Sequence, residues 1–145
     1  MKGRILVGVQ FGALGCLLWL AVSADWTTPR LIVAGVLCVA SVLILGYAAR
    51  DLRSALTVFP EPLQTAPFVT HGIYSVVRHP MYSAVILLAF GLAIVAWTPW
   101  AALIALVLVM DLQIKYRYED ALLADKWPSA SGYQREVPAL IPRIG

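Results

Sequence analysis

Apolar positions in this chain come in long uninterrupted runs, not in the narrow stripe of a soluble helix or the alternation of a half-buried strand. Residues 5–22 and 31–48 each hold 18 positions without a charged side chain, about 27 Å as helix and close to the thickness of a bilayer's hydrocarbon core. The pattern resumes over 82–97, breaks at Thr98-Pro99 and continues from Trp100 past Ile114. A Thr-Pro pair inside an apolar run reads as a turn, so the last two segments form antiparallel helices with Trp97 and Trp100 as belt aromatics at the membrane surface. The reading is an all-α polytopic membrane protein, one domain over 1–145, with spans at about 5–22, 31–48, 82–97 and 100–116. Between the second and third spans lies a surface-lying loop, 49–79, and after the fourth a tail with a helical segment, 117–145.

Composition strengthens this picture: 61% of the 145 residues are hydrophobic and 13% charged, against roughly 45–50% and 25% in soluble domains, with a mean hydropathy of +0.81. Disordered and disulfide-scaffold classes are excluded. The net charge of +3 is a topology signal, since every Lys and Arg except Arg30 falls on one face when the four spans are drawn. By the positive-inside rule that face is cytosolic, which puts both termini and the long loop there and removes the need for a nucleic-acid partner. Lys2 and Arg4 ahead of an apolar run ending Val22-Ser23-Ala24 also fit a cleaved signal, but the second span follows too closely for a mature domain to begin there. Cys16 and Cys38 lie inside apolar runs and read as small buried hydrophobes. Gly8, Gly12 and Gly15 read as a close helix-packing row.

The loop is long for an interhelical connection. Pro60, Pro62 and Pro67 favour an extended path through it, and residues 71–78 fit a short interfacial helix. Two constellations carry chemistry. Asp111, Lys115 and Glu119 recur at i, i+4, i+8 and share one face of the fourth helix; charges at the inner end of a span are paired or line a wet cavity, and the plainer reading is a helix leaving the membrane with i,i+4 ion pairs. Arg78-His79-Pro80-Met81-Tyr82 places a cation, an imidazole and a phenol within one turn at the depth of Glu119, against a plainer reading as anchor, cap and belt residues. No Gly-x-Gly occurs, which removes the Rossmann and P-loop fingerprints, and no zinc-like ligand spacing is present.

Thr70-His71-Gly72-Ile73-Tyr74-Ser75-Val76-Val77-Arg78-His79-Pro80-Met81-Tyr82 resembles the T-x-G-x-Y-x-x-x-R-H-P-x-Y signature of the isoprenylcysteine carboxyl methyltransferase and phospholipid methyltransferase families. Leu56-Thr57-Val58-Phe59-Pro60-Glu61-Pro62, Lys115-Tyr116-Arg117-Tyr118-Glu119-Asp120 and the ending Tyr133-Gln134-Arg135-Glu136-Val137-Pro138-Ala139-Leu140-Ile141-Pro142 are similar to flanking family segments, so the resemblance covers about residues 50–142. It departs at Asp120, where the family has Glu, at Trp127-Pro128, where it has an aromatic-Gly pair, and by one residue before Tyr133.

The resemblance implies a membrane enzyme that uses S-adenosylmethionine without a Rossmann domain and methylates a lipidic or small hydrophobic carboxylate or amine. It implies that His79, Pro80, Tyr82, Glu119 and Asp120 contact the cofactor, with Arg78, Lys115, Arg117 and Glu119 around the reaction and no metal. For a carboxylate acceptor Arg78, Lys115 or Arg117 supplies charge-assisted hydrogen bonds; for an amine, Glu119 or His79 serves as base. Tyr74 or Tyr118 could support the sulfonium by cation–π contact. The R-H-P-x-Y region is also similar to that of membrane sterol reductases, which implies NADPH, and a non-catalytic membrane accessory protein is the third class.

Overall fold

The computed structural model describes residues 2–61 and 67–143; Pro62 falls outside them. Helix α1 runs Lys2–Val22, α2 Thr28–Leu52, α3 Pro80–Ala96, α4 Pro99–Lys126 and α5 Ala130–Glu136, with 3₁₀ turns at Arg53–Ala55 and Gly72–Ser75. Among the described residues there is no strand. Helices α1, α2 and α4 are long and apolar enough to cross a membrane, and α3 is a shorter apolar helix of 17 residues.

Proline starts three of the helices. Pro29 sits in the first turn of α2, while Pro80 and Pro99 are the first residues of α3 and α4, positions where its missing N–H costs nothing and its fixed φ is already helical. The Thr98 hydroxyl accepts from the Ala101 amide at 3.1 Å and caps α4. The preceding Trp97 closes α3 in the left-handed region at φ 47°, and the Arg30 guanidinium lies 4.9 Å from its ring centre. The break read at Thr98-Pro99 is therefore a tight α3–α4 turn, with Trp97 and Trp100 both exposed.

Small residues set the closest helix approach, but between a different pair than expected. Ala34, Ser41 and Ala48 of α2 face α3, where Ala84, Ala89 and Gly91 are buried; the Ser41 hydroxyl donates to the Ala84 carbonyl at 2.7 Å. A Cβ on Gly91 would meet the Ala34 carbonyl oxygen at 3.4 Å, so this contact is where small side chains let backbones approach. Gly8, Gly12 and Gly15 instead point outward, with nothing within 4 Å of a Cβ at any of them, and Cys16 beside them is exposed, not buried. The face of α1 that packs carries Leu17 and Ala21, which join Ala89 and Ala96 of α3 and Ala101, Ala105, Leu108 and Leu112 of α4 in the core.

Two expectations about the ends of elements change. Helix α4 continues ten residues past 116, because no breaker intervenes before Trp127-Pro128; most of the segment assigned to a tail is thus helix, followed by α5. The interfacial helix expected over 71–78 is only the 3₁₀ turn Gly72–Ser75. Gly72 adopts φ +62°, and a Cβ there would collide with the Asp51 carboxylate, which accepts from the Ile73 amide at 3.0 Å. Gly72→Ala is therefore expected to destabilise the protein by about 1–3 kcal/mol, read as a lowered unfolding midpoint; a midpoint equal to that of the parent would show that the turn can re-form elsewhere.

Candidate active site

The N-terminus of α1 and the C-termini of α2 and α4 converge on the loop, and the site forms there. Its centre is the junction between the loop and α3. Arg78 and His79 precede Pro80, whose ring needs no amide partner, so their own amides are free to bind outside the helix. They do: the Arg78 amide donates to the Pro138 carbonyl and the His79 amide to the Ala139 carbonyl, each at 2.9 Å. The Ser83 hydroxyl donates to the Leu140 carbonyl at 2.6 Å. Residues 133–140 thus form a C-terminal strap laid along the motif, and the Tyr133 hydroxyl ties its other end to the Tyr74 carbonyl at 2.6 Å. Burial pushes the Tyr133 hydroxyl up to about 12 against the pull of the Arg78 guanidinium, and burial likewise raises Tyr74. Both phenols stay neutral across the physiological range, so Tyr133 remains a hydrogen-bond donor.

Arg78 holds this strap. Its guanidinium donates to the Gln134 and Val137 carbonyls and pairs with Asp120 at 2.8 Å, both side chains nearly buried. The other oxygen of Asp120 lies 3.0 Å from Nε2 of His79. Nδ1 of His79 lies 3.6 Å from Glu119 Oε2, and that oxygen accepts from the Tyr82 hydroxyl at 2.6 Å. The His79 and Tyr82 rings stack at 5.3 Å between centres, 6° from parallel, as an i, i+3 pair across the first turn of α3 allows. His79, Pro80, Tyr82, Glu119 and Asp120 are therefore brought together as one cluster.

A pocket opens beside the cluster. Glu119, His79, Tyr82, Tyr74 and Arg78 line it, and its aromatic walls are Phe59, Phe68, Trp127 and Tyr133. Phe68 stacks on Trp127 at 5.4 Å and meets Tyr133 edge-on at 5.4 Å. Trp127, the family departure after α4, is thus a wall residue. Phe59 and Glu61 entered the sequence reading only as members of a segment similar to the family, with no role given, and Phe68 was not singled out; an aromatic inside a proline-rich loop is its signal.

Two of the cations expected around the reaction are elsewhere. Lys115 is 2% exposed and does not line the pocket. Its ammonium donates to Gln10 Oε1 of α1 at 2.7 Å and to the Val58 carbonyl at 3.1 Å, and it sits 5.1 Å from the Tyr82 ring centre. This is a brace from α1 to the loop beneath the pocket floor, and Gln10, the lone polar residue among apolar ones over 5–22, was its sequence signal. Arg117 is exposed and also absent from the lining, because it lies about 200° around the helix from both Lys115 and Glu119. The i,i+4 ion pairs of the plainer reading are absent among the described residues: no ion pair links Asp111, Lys115 and Glu119, and one Asp111 oxygen is buried without a partner. Lys115→Met, which leaves Gln10 and Val58 without their donor, is expected to lower stability by about 1–3 kcal/mol, whereas Arg117→Gln changes it by less than about 0.5 kcal/mol and leaves activity within twofold. Unfolding midpoints and turnover of both variants test the assignment, and a large activity loss in Arg117→Gln would put that residue back at the site.

Comparison with known proteins places these features in context. Residues 29–129 match the family model described as phospholipid methyltransferase. The chain is 33% identical over 120 residues to the cobalt-zinc-cadmium resistance protein CzcN of Cupriavidus metallidurans, an alignment covering 82% of this chain and 52% of that protein. It is 34% identical over 82 residues to the nickel-cobalt-cadmium resistance protein NccN of Alcaligenes xylosoxydans xylosoxydans, covering 56% and 38%. The chain spans about half the length, or less, of these relatives.

Proposed function

The chain belongs to the phospholipid methyltransferase family, a family of membrane methyltransferases, and from that membership we propose that it moves a methyl group from S-adenosylmethionine onto the amine of a lipidic acceptor. The observation that carries the acceptor assignment is the disposition of charge. Lys115 and Arg117 do not reach the pocket, and both terminal nitrogens of Arg78 are engaged by the strap carbonyls and Asp120. Among the described residues Arg78 is the only Lys or Arg that lines the pocket, and it keeps a single N–H, Nε, without a partner, while Glu119 offers the pocket a carboxylate that accepts from the Tyr82 hydroxyl and lies 3.6 Å from the His79 ring.

The donor set fits the cofactor. Aromatic walls suit a purine face and a sulfonium, a carboxylate suits an ammonium, and the buried Arg78 Nε, which has no protein partner, is a spare donor at the wall for a carboxylate oxygen. S-adenosylmethionine supplies the electrophilic methyl group; displacement at it needs alignment and a dry site more than covalent help. An amine must shed a proton before it attacks. Glu119 is the group for this: Oε2 is occupied by Tyr82, which fixes the side chain and leaves Oε1 to take the proton. The strap and the Phe68–Trp127–Tyr133 wall exclude water.

We read α3 as the fourth span, with pocket and termini cytosolic. The basic residues Arg4, Arg50, Arg53 and Arg78 lie on elements at the pocket end while Arg30 pairs with Trp97 at the other, which supports this sidedness. A lipidic acceptor then reaches the pocket from the membrane and the cofactor from the cytosol. The relatives' names concern metal resistance; among the described residues no cluster of three or more His, Cys, Asp or Glu could hold a metal ion, and metal binding is not part of this reading. Transfer of labelled methyl from S-adenosylmethionine into a lipid extract, followed by mild base, is the test. Label that enters the lipid extract and stays non-volatile after base is expected; label released by base as volatile methanol means a methyl ester and a carboxylate acceptor, and label confined to water-soluble products before base treatment rejects a lipidic one. Calorimetry with S-adenosylhomocysteine and NADPH separates this from a reductase or a non-catalytic protein.

A further inference from the structure

The loop segment that follows α2 has a depth fixed from both ends of the first turns of α1. One ammonium, that of Lys115, holds both the Gln10 side chain of α1 and the Val58 carbonyl, at 2.7 and 3.1 Å, so Val58 lies close to the level of Gln10. Gln10 stands about 10 Å further along α1 than Gly3, past the charged first turn and among apolar residues. By Glu61 the chain is back at the start of the helix, where the carboxylate fills the space a Cβ on Gly3 would take. Residues 56–61 therefore descend beside α1 to the level of its apolar turns and return.

This segment is a single layer of chain. Thr57, Phe59, Pro60 and Glu61 line the pocket, whereas Leu56 and Val58 do not and are 45% and 53% exposed. Ile5 and Val9, on the stretch of α1 between Gly3 and Gln10, are exposed as well, so the outward face of the segment continues the apolar surface of a span. Irregular backbone is tolerated at membrane depth only where its polar groups are met or border a cavity. Both conditions hold here. The Val58 carbonyl has the Lys115 ammonium, the Phe59 amide donates to the Thr57 hydroxyl at 3.1 Å, the buried Pro60 has no amide to satisfy, and the inner side borders the pocket. A cap facing water would carry polar side chains outward and would need no internal ammonium for its carbonyl.

Resting on the methyltransferase reading, we propose that residues 56–61 are a re-entrant segment that dips into the membrane and forms the acceptor's side of the pocket. Acyl chains lie against Leu56 and Val58, and the acceptor's amine passes this layer at Phe59, whose ring lines the pocket while 42% of the residue stays exposed, to reach Glu119. Lys115 is the positioning residue. It touches neither cofactor nor acceptor; from about 6 Å deeper along α4 than Glu119 it sets the level of the segment through the Val58 carbonyl. A cation at that depth is costly unless its donors are engaged, and holding irregular chain against α1 is what engages them.

The test reads depth first. In phosphatidylcholine–phosphatidylglycerol nanodiscs, with Cys16→Ala and Cys38→Ala, a nitroxide is attached through Val58→Cys, and its collisions with oxygen, which enters hydrocarbon, are compared with those of a water-soluble nickel chelate. Oxygen is expected to dominate at position 58, as at a Val39→Cys reference on the exposed face of α2 and unlike an Asp125→Cys reference near the end of α4. Dominance of the nickel chelate puts the segment in water and overturns the proposal. Lys115→Met is expected to shift the label at position 58 toward the chelate while the Val39→Cys reference stays, and Lys115→Arg to keep it in place; an unchanged depth in Lys115→Met overturns the positioning role. With the lipid extract supplied, a bulky maleimide adduct at position 58 is expected to lower methyl transfer into lipid by about tenfold or more, S-adenosylhomocysteine affinity staying within about twofold. Undiminished transfer overturns the acceptor's route. Absence of both methyl transfer and S-adenosylhomocysteine binding in the parent protein overturns the methyltransferase reading instead, and the depth measurement stands apart from it.

Discussion

Glu119→Gln is expected to reduce methyl transfer by about 100-fold or more, the usual scale for removing a positioned proton acceptor, while leaving the fold in place. The amide keeps an oxygen for the Tyr82 hydroxyl, which now donates at 2.6 Å, so the stacked Tyr82–His79 pair is not dismantled. What is lost is the carboxylate, and with it both attraction for a cationic ligand and capacity to take a proton. Turnover with saturating cofactor, set beside S-adenosylhomocysteine affinity, separates these losses: a fall in turnover larger than the fall in affinity points to proton removal. Activity within a few-fold of the parent would mean that another group takes the proton and that Glu119 only lines the pocket.

Arg78→Ala is expected to be the most damaging change to stability, about 3–5 kcal/mol, the cost of leaving a nearly buried carboxylate without its cation. Asp120 loses its partner, and two strap carbonyls lose their donor. Because the strap covers the motif, early cleavage within residues 133–143 under limited proteolysis should accompany the lowered unfolding midpoint. Arg78→Lys keeps the charge but cannot bridge Asp120 and two carbonyls with one planar group, and recovery of less than half of the lost midpoint is expected. Full recovery by lysine would show that charge alone is needed and that the strap is held by its backbone bonds.

The helices were legible because membrane spans announce themselves by length and hydropathy, and their starts because proline marks first turns. Pattern cannot say which face of an apolar helix touches protein when lipid and protein interior are equally apolar. That is why the glycine row of α1 was read as an interface although the small-residue contact lies between α2 and α3. The clustering of His79, Pro80, Tyr82, Glu119 and Asp120 was implied by the family resemblance, and helix depth by itself linked only the Arg78–Tyr82 turn to Glu119. The duties of Arg78 and Lys115 were not legible, because apart from Asp120 their partners are backbone carbonyls and one glutamine contributed from far along the chain, and a carbonyl leaves no mark in sequence. The aromatic wall was hidden for the same reason: Phe68, Trp127 and Tyr133 meet only after the loop, the end of α4 and α5 have been placed.

The strap also has a consequence for biosynthesis. Arg78 finds its acceptor on Val137 across 59 residues of chain, so during synthesis the spans are made and inserted while the amides of Arg78 and His79 still face water. Chains order from their N-terminal side as they emerge, which makes docking of residues 133–140 later than placement of α1 to α4. A ribosome-stalled chain lacking them would hold its helices yet leave the Arg78 and His79 amides without their acceptors, so closure of the motif would arrive in one step, not in proportion to length.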